Sequence, residues 1–171
     1  MNGAVCGGLL GQVDDIEVRA ARPEELPAVA ALRWRWTEEV HGSVPMPRAE
    51  FAARFAAWAA DHTASHRCSV AVRDGEVLGM AWLGVVVRVP HPRSFDRASG
   101  DLQCVYVTPA ERGRGLAGRL VGDVLAAARE LGLERMTVHS STQAVPGYVR
   151  AGFAVSPVLL QLDLREAPPT G

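Results

Sequence analysis

The stretch VYVTPAERGRGLAGRL at residues 105–120 constrains this chain more than any other, because it leads from an apolar strand into an amphipathic helix through glycines at 113, 115 and 118. Glycine has no Cβ, so successive backbone N–H groups can point into one concavity and approach a ligand closely. The first turn of the helix adds unpaired N–H groups and the positive end of its dipole. Arg112, Arg114 and Arg119 add charge. Such a turn suits a phosphate or pyrophosphate, and it commits the chain to a fold in which strands feed helices. A solvated loop before a well-capped helix is the plainer reading of the same residues.

The rest of the chain reads as alternating elements around this turn. Residues 15–20 form a short strand. Pro23, Glu24 and Glu25 open a helix with Leu26, Val29, Arg33, Trp36 and Val40 on one mostly apolar stripe. Residues 41–47 break it, and Phe51, Phe55 and Trp58 mark a second helix starting near Pro47. Asp74 and Gly75 sit between two β-rich runs, 68–73 and 76–89, and signal a hairpin. A polar loop at 90–100 precedes a strand at 101–108. A helix from about 113 to 131 buries Leu116, Leu120, Val124 and Leu131 and ends at Gly132. A strand at 135–139, a short helix at 144–151 and a last strand or strands within 153–164 complete the order. This is an α/β protein with an α+β-type mixed sheet, an antiparallel meander followed by a βαβ unit.

Composition narrows the function classes. A chain of 171 residues, 48% of them hydrophobic, predicts one domain with a sizeable core. Its expected limits are 14–165, between a mobile tail at 1–13 and a disordered end at 166–171. The start, MNGAVCGGLLGQ, lacks the basic and long apolar regions of a signal peptide. No apolar run nears the roughly 20 residues of a membrane helix. A net charge of −1 supplies no global field for nucleic acid or a membrane surface. Cys6, Cys68 and Cys104 are far apart and odd in number, so neither a metal site nor a disulfide framework is expected, and a reducing cytoplasm fits. No H-E-x-x-H or G-x-S-x-G motif supports hydrolase chemistry.

Three phosphate motifs compete for the glycine turn. Gly113, Gly115 and Gly118 spell G-x-G-x-x-G, but residues 108–112 intervene after the strand, and the next strand ends in His139 and Ser140 with no acid. The glycine spacing also fits a P-loop, yet Arg119 and Leu120 stand where Lys and Ser or Thr are required. The third motif is RGRGLA, Arg112 to Ala117, which resembles the Q/R-x-x-G-x-G/A signature of the GNAT superfamily of N-acetyltransferases. A second block, Tyr148-Val149-Arg150-Ala151-Gly152-Phe153, is similar to that family's Y-x-x-x-G-F ending. The two blocks are separated by one helix and one strand, as the resemblance requires.

The resemblance implies a central twisted mixed sheet of about six to seven strands flanked by four helices. It implies acetyl-CoA as co-substrate, held between two splayed strands, and no metal. The backbone of Val105, Tyr106 and Val107 would pair with the pantetheine arm. Amides of Arg112, Gly113, Arg114, Gly115, Leu116, Ala117 and Gly118 would hold the pyrophosphate. Tyr148 matches the tyrosine that protonates the departing thiolate, and a packing tyrosine at a helix end is its plainer reading. Asp101 stands where some members carry a catalytic Glu. Strand alternation places Asp101, Gln103 and Val105 on one face, and a solvated strand-end Asp is the competing account. Ser141 stands where the family often has an Asn that touches the cofactor arm. His139 is read as a structural hydrogen-bonder.

The activity so implied is acetyl transfer to a primary amine of a small molecule, by direct attack in a ternary complex. Two rivals are acetylation of a protein or peptide, and a regulatory module that binds acyl-CoA without turnover. The first helix and the loops at 41–47 and 90–100 are expected to line the acceptor side, with Trp34 available to its pocket. A homodimer is compatible with the sequence.

Overall fold

The computed structural model describes residues 15–164; the tails expected at 1–13 and 166–171 lie outside them. The described elements are β1 (Glu17–Ala20), α1 (Leu26–His41), α2 (Arg48–Asp61), β2 (His66–Arg73), β3 (Glu76–Val87), β4 (Ala98–Val107), α3 (Leu116–Glu130), β5 (Met136–Val138) and α4 (Val145–Arg150). One sheet carries the strands in the order β1-β2-β3-β4-β5. The first three pairings are antiparallel and β4–β5 is parallel, so the mixed sheet follows from a meander and one crossover through α3.

Local chemistry explains the main elements. Asp74 (φ 50°) and Gly75 (φ 80°) both adopt positive φ, the two-residue turn whose twist matches a hairpin. Strands β2 and β3 are buried along most of their length, because the sheet is covered on both faces. On one face, α3 contributes Leu116, Leu120, Val121 and Val124 to a core with Ala81, Leu83, Leu102 and Val107. On the other, Val29 and Leu32 of α1 and Ala59 of α2 pack against Val70, Met80, Trp82 and Tyr106. Gly42 (φ 75°) stops α1 and Gly132 (φ 66°) follows the end of α3. Leu131 and Val40, expected on buried stripes, are 37% and 55% exposed, because each falls at the fraying end of its helix.

Two features of β4 position the site. It pairs with β5 only through Gly100–Leu102 against Met136–Val138, while its pairing with β3 runs on to Val107. Residues 103–107 therefore face a wedge that opens between β4 and β5. Within that stretch lies a β-bulge. Trp82 stands opposite Gln103 but Met80 stands opposite Tyr106, so β4 spends one extra residue, and Cys104 adopts φ 52°.

The expected sheet of six to seven strands is corrected to five. Residues 153–164 form no strand. Val158, Leu160, Leu162 and Leu164 alternate as a strand face would, but a strand needs a ladder for its N–H and C=O groups, and these side chains are 79–90% exposed. The four α-helices match the expectation. No helix among the described residues is long and apolar enough to cross a membrane.

Candidate active site

The bulge divides β4 between two cavities. Past it, Val105 faces the α3 side and packs against that core, while Gln103, Cys104 and Tyr106 face α1 and α2. The expected common face of Asp101, Gln103 and Val105 is thus corrected, since one inserted residue flips every side chain beyond it. On the α3 side, a cleft of about 600 Å³ is bounded by Val105, by Gly115, Ala117, Gly118 and Val121 of the turn and α3, and by Gln143, Ala144, Gly147 and Tyr148 of the α4 region. On the α1–α2 side, a cavity of about 520 Å³ is lined by Arg33, Met46, Phe55, Trp58, Trp82 and Cys104 among others.

The floor of the cleft is a cradle of amides. Gly113 (φ 78°) and Gly115 (φ 77°) take left-handed conformations, and Gly115 is the N-cap of α3. The first helix amide with a backbone acceptor is that of Arg119, to Gly115 O at 3.2 Å. The N–H groups of 113–118 find no acceptor among the described residues. Such a cluster at a helix N-terminus fits a pyrophosphate. The arginine side chains of the turn have protein partners of their own. Arg114 donates to Glu111 Oε2 at 3.2 Å, and Arg119 donates to the carbonyl of Ile16. Glu111, buried, also accepts from Arg73 at 2.7 Å, which anchors the turn to the β2–β3 hairpin. Leu116 turns its side chain into the core at 2% exposure, leaving only its amide for the cradle.

Arg112 and Tyr106 do other work. Tyr106 Oη donates to Glu39 Oε1 at 2.7 Å, and Arg112 Nη2 donates to Glu39 Oε2 at 2.8 Å. Arg112 Nε donates to Val107 O at 3.0 Å, and its guanidinium lies over the Tyr106 ring at 5.4 Å. The Arg112 hydrogen bond, then that of Tyr106, hold the Glu39 carboxyl below its usual range. The Tyr106 phenol is pushed up to about 12, first by burial and then by Glu39. This knot ties the end of α1 to the exit of β4. Its carboxylate contributes fully above the ordinary Glu pKa, and the tie is lost as pH falls through the lowered folded value. Glu39 carried no sequence signal for this role, because its partners lie 67 and 73 residues away.

Tyr148 reaches the cleft from α4. Pro146 sits in the first turn of that helix. The half-buried Tyr148 ring packs edge-on against Phe153 at 5.7 Å, and its hydroxyl has no hydrogen bond among the described residues. Burial pushes its pKa up. Asp101 lies elsewhere, where β4 and β5 still pair. Its Oδ1 accepts from Thr137 Oγ1 at 3.1 Å and its Oδ2 from Gln103 Nε2 at 2.9 Å. It borders a separate hollow with Thr137, His139 and Ser140. That hollow shares Thr137, Val138, Ser140 and Leu159 with another that Tyr148 lines, but neither is lined by both Asp101 and Tyr148. Asp101 and Tyr148 therefore share no cavity. Ser141 is exposed in the turn before α4, where its carbonyl accepts from Ala144 N at 3.0 Å. The cleft wall carries Gln143 instead.

The model of the Acetyltransferase (GNAT) family matches residues 26–153. A glucosamine 6-phosphate N-acetyltransferase of Trypanosoma brucei brucei is 34% identical over 90 residues, which are 53% of this chain and 59% of that protein. The chain thus spans under two thirds of that relative's length. The fold is similar to the crystal structure of a Trypanosoma brucei acetyltransferase, at 25% identity and a TM-score of 0.68, covering 88% of this chain and 100% of that one. It is similar also to a predicted acetyltransferase with acetyl-CoA from Clostridium acetobutylicum, at 17% identity and a TM-score of 0.70, covering 87% and 96%.

Proposed function

The chain belongs to the acetyltransferase (GNAT) family, and from that premise we propose that it transfers the acetyl group of acetyl-CoA to a primary amine of a small molecule in a ternary complex. The observation that carries this reading is the cleft itself. An amide cradle with free N–H groups, an unpaired strand edge at 103–107 and a tyrosine hydroxyl without a partner border one 600 Å³ space. The cradle fits the pyrophosphate and the edge of β4 fits the amide-bearing arm. An amide at the bulge would polarise the acetyl carbonyl as charge develops.

The chemistry asks little more of the protein than positioning and proton movement. The ammonium of the acceptor first gives one proton to solvent. The neutral nitrogen attacks the thioester carbon, so an N–C bond forms as the C–S bond breaks. The nitrogen loses its second proton, and Tyr148 supplies one to the departing sulfur, so one proton is released overall. Asp101 is the proposed acceptor of the amine proton, directly or through a water, and Gln103, which donates to its carboxylate and also lines the acceptor cavity, would orient that water.

The reading is tested with a panel of amines and acetyl-CoA, followed by free-thiol release, beside the thermal shift that acetyl-CoA induces. Glucosamine 6-phosphate belongs in the panel because it is the acceptor named for the trypanosomal relative. Amine-dependent thiol release supports the reading. A shift with acetyl-CoA but no release with any amine would leave a binding module, and a larger shift with NAD would remove the acyl-CoA assignment.

Asp101→Asn separates a carboxylate base from a water chain. The variant keeps shape and cannot take the proton, so kcat/KM should fall about tenfold or more, with acetyl-CoA binding intact. The carboxylate-like limb at low pH should vanish in the variant, leaving the rise caused by deprotonation of the amine itself. Superimposable profiles would remove Asp101 from the mechanism.

A further inference from the structure

The second cavity, on the α1–α2 side of the bulge, indicates what the acceptor looks like beyond its amine. Its walls are aromatic. Phe55 stands edge-on to Trp82 at 5.6 Å, Trp58 lies 5.7 Å from Trp82, and Phe51 lies 5.5 Å from Phe55. Among the described residues, no carboxylate lines it. Its charged groups are Arg33 and Arg54, and Arg54 is engaged at the surface with Glu50 at 3.3 Å.

Arg33 is different. Among the described residues its guanidinium has no acidic partner and no hydrogen bond, while its backbone carbonyl accepts from Thr37 Oγ1 at 3.1 Å. Its guanidinium lies 4.2 Å from the Trp36 ring centroid. The N–H donors of this planar fork meet no acceptor among the described residues, and such a fork can grip a carboxylate with two parallel bonds. The fork acts close to the bulge. Arg33 and Cys104 line the same cavity, as does Gln103, which donates to Asp101. An anion bound by Arg33 would therefore lie beside the β4 segment that presents the thioester.

We propose that the acceptor is an amino acid, with its carboxylate on Arg33, its α-amine at the bulge, and a large apolar side chain among Phe51, Phe55, Trp58 and Trp82. The proposal rests on the acetyl-transfer reading and specifies its substrate. A carboxylate near the reacting amine is met by the Arg33 fork, which lines the same cavity as Cys104. A polyamine or a lysine side chain would bring a second cation to a wall that holds arginines and no acid. A hydroxyl-rich amino sugar would bury its hydroxyls against rings, with Gln103 as the one neutral polar side chain on the wall. The loop carrying Met46 into the wall is held by Trp34 Nε1, which donates to Met46 O at 3.1 Å.

The test compares L-phenylalanine and L-leucine with L-phenylalaninamide, phenethylamine and glucosamine, all with acetyl-CoA and free-thiol release. The two amino acids should exceed phenylalaninamide and phenethylamine in kcat/KM by roughly 10–100-fold, the worth of a charge-assisted pair. Arg33→Gln should erase that ratio through KM, while the thermal shift with acetyl-CoA stays as in the wild type and reports an intact fold. Arg33→Lys, which keeps charge and loses the fork, should recover part of the ratio. Equal rates for phenylalanine and phenethylamine would overturn the proposal, as would release with glucosamine alone, and in both cases acetyl transfer would stand. No release with any amine would overturn the acetyl-transfer reading and this proposal with it.

Discussion

Replacing Tyr148 with phenylalanine is expected to lower kcat by about 10²-fold, within the range of a general acid, and to leave acetyl-CoA affinity unchanged. The ring packs edge-on against Phe153 and is half-buried, so Phe keeps the contact. The hydroxyl has no partner among the described residues, so its loss breaks no internal hydrogen bond. Folding stability should change little, and a lower kcat then reports chemistry. Burial raises the phenol pKa, so the acid remains protonated through neutral pH. The alkaline loss of activity that Tyr148 controls should lie above about pH 10, the ordinary phenol value. The check is single-turnover kinetics, which isolates chemistry from product release. An unchanged single-turnover rate would return Tyr148 to packing.

Gly115→Val is expected to abolish the thermal shift produced by acetyl-CoA. In the wild type that shift should grow with concentration, reaching about 2.7 kcal/mol at a hundred times Kd. A Cβ at Gly115 meets nothing within 4 Å, so no side chain is struck in the free protein. The damage comes from the backbone. At φ 77° a β-branched residue is strained by roughly 1–2 kcal/mol, and relief of that strain turns the amides out of the cradle. Gly118→Ala is the informative companion. Gly118 has ordinary φ and open space around it, and Ala favours a helix over Gly by about 1 kcal/mol. The Gly118→Ala protein should fold at least as well as the wild type. A diminished shift in that variant would show that acetyl-CoA approaches to within a methyl group of α3. Full shifts in both variants would remove the turn from the cofactor site.

The sequence was legible where one local signal decides the outcome. Asp74-Gly75 specifies a turn by its own φ preferences, and the spacing of Leu116, Leu120 and Val124 specifies a buried helix face. The cleft followed from the glycine turn and from Tyr148 one helix and one strand later. What stayed hidden depends on partners far along the chain. The bulge was invisible because the residue at positive φ is Cys104 rather than Gly or Asn, so alternation carried Val105 to the wrong face. Residues 153–164 have the period of a strand, but period alone supplies no neighbouring ladder. Nothing local to the turn marks Glu39 as the acceptor for Arg112. Arg33 and Trp36 were read as one helix stripe. Only the fold shows that the guanidinium lies over the Trp36 ring and also lines an aromatic cavity.

The extra residue in β4 has an evolutionary consequence. Because Gln103, Cys104 and Tyr106 leave by one face and Val105 by the other, the wall that would choose the acceptor and the cradle that would hold the nucleotide draw on separate residues with a sheet between them. Changes at well-separated positions add to within about 0.3–0.5 kcal/mol. An Arg33→Gln, Gly118→Ala double variant should therefore show the sum of its single effects on ln kcat/KM. A lineage carrying such a bulge can exchange the aromatic wall for a polar or acidic one, and so change its amine, without re-optimising its grip on the acyl donor. Selection then acts on each half of the catalyst as if the other were constant.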